Sequence, residues 1–325
     1  MSDDLPAGAA AFLADAGWGE ADDIAPLPGD ASARRYFRIR RGEDKALLMH
    51  APPPDEDIAP FVSVADWLNG NGVRAPTIHA ADERAGFLLQ EDCGDRRIKE
   101  LLEQEPRREE QAYRDAVDQL IVTQQADAGP FPRYDLKTYL RETDLFVDWF
   151  VPHRDLSVDR AGWTDAWTRT LTPLLARQDP PVTVLRDYHA ENIMVTDAGE
   201  QVVIDFQDAL VGHRAYDLVS LLQDARRDVS PEMENRLLAY FTERAEPGDD
   251  FEADYAVLGA QRNAKIVGIF TRLANRDGKQ RYLELIPRVW RLMERDLGHP
   301  ACAPVAEWFD ANIPRDLRDR AGATT

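Results

Sequence analysis

Lysine is scarce in this chain of 325 residues: Lys45, Lys99, Lys137, Lys265 and Lys279 are its only lysines, and arginine supplies the other fixed positive charges. Positive charge is also short overall, for the formal net charge at pH 7 is -20. A nucleic-acid partner is therefore not expected, because neutralising a phosphate backbone needs basic surface. An acidic surface by itself serves solubility and implies no cationic ligand. Cysteine is limited to Cys93 and Cys302, which form no C-x-x-C pair, so neither a zinc site nor a disulfide framework is expected. No apolar run reaches the roughly 18 residues that a membrane-spanning helix needs. The opening MSDDLPAGAAAFLADAGW is acidic and helix-like. It lacks the basic start and unbroken apolar stretch of a secretory signal, which makes the cytoplasm the expected compartment.

What is present is an ordinary globular balance, 44% hydrophobic and 30% charged, with enough apolar material for sizeable cores. The length suggests about two domains at roughly 100–200 residues each. Residues Tyr36–Arg41 and Lys45–His50 read as two short strands joined by Gly42-Glu43-Asp44. Pro52, Pro53 and Pro54 end the second, since proline cannot continue a ladder. A helical apolar stripe follows over 57–70 and stops at Asn69-Gly70-Asn71-Gly72. Thr77–Ala80 and Gly86–Gln90 read as two more strands. Beyond the polar connector Glu91-Asp92-Cys93-Gly94-Asp95 the spacing turns helical, over 107–126, 136–150, 215–245 and 253–299. The brief strands Val182–Leu185, Ile193–Val195 and Val202–Asp205 interrupt it, with a turn at Asp197-Ala198-Gly199-Glu200. The expected fold class is α+β in two lobes, a small β-rich lobe over 1–91 and a larger, mainly helical lobe over 92–325.

The chemistry concentrates in Arg186-Asp187-Tyr188-His189-Ala190-Glu191-Asn192 and Val203-Ile204-Asp205-Phe206-Gln207-Asp208. Moving a phosphoryl group to a hydroxyl needs one carboxylate to orient the hydroxyl and take its proton, and oxygen ligands to hold magnesium against the phosphates. Magnesium prefers hard oxygens and often takes one or two carboxylates plus the nucleotide's own oxygens. Asp187, Asn192 and Asp205 supply such a set. A single Asp or Asn in a turn more often bonds its own backbone, but three at this spacing, among apolar strand residues, fit the kinase pattern.

This segment resembles the catalytic and metal loops of the aminoglycoside phosphotransferase and choline kinase superfamily, relatives of the protein kinases, and the resemblance runs over roughly residues 22–300. It implies a bilobal protein-kinase-like fold with ATP and Mg2+ as cofactors. It assigns Asp187 as catalytic base, with Asn192 and Asp205 as magnesium ligands. The first lobe becomes the nucleotide-binding lobe and the second the catalytic and acceptor-binding lobe. Gly212-His213-Arg214-Ala215-Tyr216-Asp217-Leu218 resembles the family's stretch after the metal loop, where an aspartate buttresses the catalytic loop. Asp217 is either that buttress or a helix N-terminal carboxylate facing the dipole.

A narrower resemblance, to bacterial anomeric sugar kinases, rests on Gly29-Asp30-Ala31-Ser32-Ala33-Arg34-Arg35-Tyr36-Phe37-Arg38, on Met49-His50-Ala51-Pro52-Pro53-Pro54, and on the two catalytic segments together. It implies phosphorylation of the C1 hydroxyl of N-acetylmuramate or N-acetylglucosamine in cell-wall recycling, a small-molecule amino sugar being the partner. Choline, homoserine or an aminoglycoside is the alternative acceptor, and a nucleotide-binding pseudokinase is the second alternative.

Two departures stand out. Leu185 takes the place where many members have histidine, which removes a packing residue and no chemistry. Aligned on V-A-I-K, the slot of the ATP-binding lysine falls on His50, and Lys45 lies on the opposite strand face. Another cation should meet the phosphates. Arg34, Arg35 and Arg38 are the candidates, since arginine grips phosphate oxygens in a fork, with the turn Gly29–Ala33 as a possible anion nest. By the resemblance, adenine binds near Gln90, Glu91 and Asp92. Glu142, Trp149, Arg262, Lys265 and Arg272 border the acceptor pocket or serve helix packing, and both readings stay open.

Overall fold

The computed structural model describes residues 5–28 and 34–321. The chain forms two compact units, one from Met1–Thr123 with Glu191–Ala209, the other from Gln124–Ala190 with Leu210–Thr325. The α+β class is as expected. The division is not the one expected at residues 91 and 92: the sheet-bearing unit carries two further helices and takes back a hairpin from later in the chain.

The first unit is built on a five-stranded antiparallel sheet, in the order β1-β2-β3-β5-β4, of β1 (Asp23–Pro26), β2 (Arg35–Arg41), β3 (Asp44–His50), β4 (Ile78–Asp82) and β5 (Phe87–Glu91). Sequence periodicity found all of these but β1, a four-residue strand with no apolar alternation. Registry aligns Phe37, Leu48 and Leu89 across the three central strands. With Ile39, Ala46 and Phe87 they form a buried layer against Ala9 and Leu13 of the helix α1 (Ala9–Asp15). Helix α2 (Ala59–Gly70) buries Phe61, Val64, Ala65 and Leu68 and packs against β4. Gly86 has φ +70°, and a Cβ there would lie 2.2 Å from the Ala51 carbonyl oxygen, so only glycine lets the chain enter β5 beside β3.

Two helices, α3 (Ile98–Gln104) and α4 (Glu109–Gln125), follow β5. The hairpin of Ile193–Val195 with Gln201–Val203 is tied to the end of the sheet. The Val195 N–H donates to the Arg96 carbonyl (2.7 Å) and the Val203 N–H to the Arg74 carbonyl (2.9 Å). Met194 and Val202 bury against Cys93.

The second unit is helical around one short strand pair, Val182–Val184 with Leu210–Gly212. Its helices are α5 (Leu136–Leu145), α6 (Arg160–Ala176), α7 (Ala215–Leu222), α8 (Pro231–Ala245), α9 (Phe251–Asp277), α10 (Ile286–Leu297), α11 (Ala303–Asn312) and α12 (Arg315–Ala321). Asp135 caps α5 through the Thr138 N–H, Asp159 caps α6 through Gly162, and Ser230 caps α8 through Met233. The helix expected over 136–150 changes to π-helical winding at Phe146–Phe150. The one expected over 215–245 is two helices, because Ser230-Pro231 restarts the chain as cap and first-turn proline. The one expected over 253–299 breaks at Gly278, in the left-handed region at φ +69°. Helix α9 packs on α5, α7 and α10. At Gly268 a Cβ would come within 2.3 Å of the Leu145 backbone, so glycine sets how closely α9 approaches the end of α5. Phe146, Trp163, Trp290 and Phe309 form an aromatic core there, with Phe146 and Trp163 stacked at 5.3 Å. No described helix is long and apolar enough to cross a membrane.

Candidate active site

Strand alternation gives the central sheet two unlike faces. Phe37, Leu48 and Leu89 lie on the face toward α1, while Tyr36, Leu47 and Gln90 lie on the other. On that second face the first unit encloses a cavity of about 560 Å³. Arg34, Tyr36, Leu47 and Phe61 line it together with Gln90 and Glu91. From the hairpin side come Asn192, Met194, Ile204, Asp205 and Asp208.

The hairpin brings Asn192 to Asp205 across thirteen residues of chain. The Ile204 N–H donates to the Asn192 carbonyl at 2.9 Å, and the Asn192 Nδ2 lies 3.3 Å from Asp205 Oδ2. Gln207 Nε2 donates to the other carboxylate oxygen at 3.0 Å. Asp205 itself adopts φ +59°, a conformation that a non-glycine residue keeps only where its surroundings impose it, and such residues gather at functional sites. Its carboxylate is exposed toward the cavity. Among the described residues no group of three or more His, Cys, Asp or Glu side chains is suited to holding a metal. One carboxylate with one amide fits magnesium that takes its remaining ligands from phosphates and water, and fits a structural metal poorly.

At the sheet end of the cavity Gln90 is buried, and its Oε1 has no hydrogen-bond partner. A buried acceptor left unmatched on a cavity wall fits the amino group of a ligand's base. Leu47, Met194 and Ile204 give that wall its apolar surface. Glu91 lines the cavity too, with its carboxylate held by Arg74, whose hydrogen bond keeps its pKa below the ordinary range against the effect of burial.

Not all expected residues come together. Arg35 stands on the opposite sheet face, exposed, with its guanidinium 5.1 Å from the Phe37 ring centre. Arg38 is held by Asp92 (Nε to Oδ2, 2.6 Å) and by Asp95 (2.8 Å), and neither Arg38 nor Asp92 is among the cavity's lining residues. Of the three candidate arginines, Arg34 alone lines the cavity. The lysine slot placed on His50 is also corrected. His50 pairs with Arg35 and Phe87 and stacks on the Phe87 ring at 4.7 Å, on the face away from the cavity. Both faces of β3 are apolar, so the sequence pattern carried no sign of which one looked into the site. The proposed nest at Gly29–Ala33 lies outside the described residues. Tyr36 and Gln207, which line the cavity, were not singled out from sequence; Tyr36 was legible as the alternation partner of Arg34, and Gln207 as the residue two after Asp205.

Asp187 belongs to the second unit, on the loop after the strand Val182–Val184. Both oxygens of the buried Asp217 carboxylate accept from that loop's backbone, from the Leu185 N–H at 2.7 Å and the Arg186 N–H at 2.8 Å. Arg186 takes φ +73° and reaches Glu142, which Lys265 also approaches at 3.2 Å. The buttress reading of Asp217 is the one these bonds support. Burial pushes the Asp217 carboxyl up to about 7, against the two backbone donors that favour its charged form. Around Asp187 burial also works against ionisation. Lys265, His189, Arg262 and Arg186 outweigh it, and the carboxyl lies below its ordinary range. Glu142 behaves likewise, with Lys265 and Arg186 overcoming its burial. Glu142 and Lys265 are therefore buried partners of the loop that carries Asp187. Arg262 is 3% exposed, on the same helix as Lys265.

Three comparisons bear on this arrangement. Over 98% of its length the chain is 37% identical to the N-acetylmuramate/N-acetylglucosamine kinase of Caulobacter vibrioides, 99% of which is covered. It is 38% identical to the kinase of the same name from Pseudomonas aeruginosa, over 94% of this chain and 93% of that one. The structure superposes on the aminoglycoside phosphotransferase APH(2'')-Ib, solved with ADP bound, with a TM-score of 0.59 at 14% identity, covering 89% of this chain and 97% of the other. That likeness shows a protein-kinase-like fold. Residues 23–258 match the phosphotransferase enzyme family, and the chain belongs to that family.

Proposed function

We propose that this phosphotransferase moves the γ-phosphoryl group of ATP, with magnesium, to the anomeric hydroxyl of N-acetylmuramate, N-acetylglucosamine or a close hexose relative, as a cytoplasmic kinase of cell-wall recycling. The observation that carries the nucleotide part is the meeting of Asn192 and Asp205 on one cavity wall, with the unmatched Gln90 oxygen on the sheet side of the same cavity. The acceptor is supported by near full-length similarity to two kinases named for those sugars.

Asp205 and Asn192 hold the metal, whose charge, when it is bound, offsets that of the phosphates. Gln90 and Glu91 border the base. Asp187 orients the C1 hydroxyl and accepts its proton while the sugar oxygen bonds to the γ-phosphorus. The bond from that phosphorus to the β–γ bridging oxygen breaks, and ADP leaves with the electron pair. An anomeric hydroxyl is more acidic than an ordinary alcohol, which suits a carboxylate base held in its ionised form. A neutral sugar ring needs hydrogen bonds and an aromatic wall and no counter-charge.

ADP release measured with MgATP against a panel of N-acetylmuramate, N-acetylglucosamine, choline, homoserine and an aminoglycoside tests the reading. Turnover is expected with the two sugars. Turnover confined to choline, homoserine or the aminoglycoside would remove the sugar assignment and keep the kinase. MgATP binding without turnover of any acceptor would point to the pseudokinase instead.

A further inference from the structure

Kinases of this fold carry their phosphate-binding lysine on the strand equivalent to β3; here the strand's cavity-side face offers Leu47, which lines the cavity, and, two residues on, the buried Met49. Neither carries charge. Lys45 shares that face, but it is exposed at the far end of the strand, opposite Arg40, and is not among the cavity's lining residues. A cation on the cavity wall stands just before the neighbouring strand. Arg34, just before β2, lines the same cavity as Asn192 and Asp205. Its Nε donates to Glu56 Oε2 at 2.9 Å, with both side chains only 17% exposed. Glu56 stands in the segment leading into α2, the first helix after β3.

We propose that Arg34 is the phosphate-contacting residue of the nucleotide site and that Glu56 is its positioning residue, so that an arginine–glutamate pair from the segments leading into β2 and α2 does the work of the lysine–glutamate pair of other kinases. The proposal rests on the kinase reading above. The chemistry is direct. A guanidinium has five N–H donors, and engaging Nε with a carboxylate fixes its plane while its two amino groups lie at the opposite end of the fork. Tyr36, the next residue on the cavity face, hydrogen-bonds Arg34 as well, and these partners together raise the guanidinium pKa against the effect of burial.

Isothermal titration of adenosine and of MgADP into the whole chain tests this, with thermal melts to check folding. Arg34→Met should weaken MgADP by at least about tenfold, as expected for the loss of a charge-assisted contact, and leave adenosine affinity unchanged. Arg34→Lys should recover part of the loss, and it remains informative if the methionine variant fails to fold. Glu56→Gln should fall between wild type and Arg34→Met for MgADP, because the charge stays and its anchor weakens. Lys45→Ala should match wild type. Wild-type MgADP affinity in folded Arg34→Met or Arg34→Lys, or a large defect in Lys45→Ala, overturns the proposal while leaving the kinase standing. A wild-type chain that binds neither adenosine nor MgADP overturns the kinase reading, and this pair with it.

Discussion

Asp187 owes its ionised state to its neighbours: the cations of α9 and of its own loop outweigh burial and hold the carboxyl low. Two results follow at the scale of single residues. Asp187→Asn removes the proton acceptor and keeps the shape, so kcat should fall by about 10²–10⁴ with nucleotide binding nearly intact; a kcat within a few-fold of wild type would take Asp187 out of the role. Lys265→Met removes the strongest of the favourable charges. The Asp187 pKa then rises, the base is protonated over more of the acid range, and the acid limb of the kcat/KM profile moves to higher pH. An unmoved limb would show that Lys265 does not act on Asp187. For the metal, Asp205→Ala should abolish magnesium-dependent turnover and Asn192→Ala should weaken it less, since a neutral amide contributes less charge. MgATP titrations should give the same order, and unchanged affinity and rate in Asp205→Ala would contradict the metal assignment.

Among the elements, the loop of Asp187 and the start of α7 are coupled through Asp217. Asp217→Ala leaves two buried backbone N–H groups without an acceptor, each costing about 1–3 kcal/mol. Urea unfolding should show a loss of at least about 2 kcal/mol, smaller in Asp217→Asn, whose amide oxygen still accepts one bond. A midpoint equal to wild type would mean that solvent satisfies the loop. These elements also show what a sequence can reveal. The meeting of Asn192 with Asp205 was legible because a short hairpin must close between them. Helices α3, α6, α11 and α12 were not read, nor were β1 and the strand Leu210–Gly212, which is three residues long and takes its place from its partner strand. The His50 misplacement has a plain cause: β3 is apolar on both faces, Ala46 and Leu48 on one, Leu47 and Met49 on the other, so alternation could not say which side held the site. The Arg34–Glu56 pair was half visible, as one of three arginines without its carboxylate, because pairing across 22 residues depends on the fold.

For the molecule as a whole, the net charge of -20 sits on a chain whose nucleotide ligand is itself anionic. Local cations, Arg34 in the first unit and Lys265 with Arg262 in the second, therefore matter more than the overall sign. The length predicted two bodies, and the periodicity an α+β class. Neither could predict that residues 191–209 return to the sheet-bearing unit, because that depends on backbone bonds from Arg96 to Val195 and from Arg74 to Val203, which leave no local pattern. The central claim is transfer of phosphate to a sugar's C1 oxygen, and phosphorus NMR of the reaction with MgATP and N-acetylmuramate or N-acetylglucosamine tests it most directly. The account predicts a new phosphomonoester signal coupled to the anomeric proton, growing as ATP is converted to ADP and absent with Asp187→Asn. A phosphate coupled to any other sugar position, or ATP consumed only when choline, homoserine or an aminoglycoside is supplied, would contradict it.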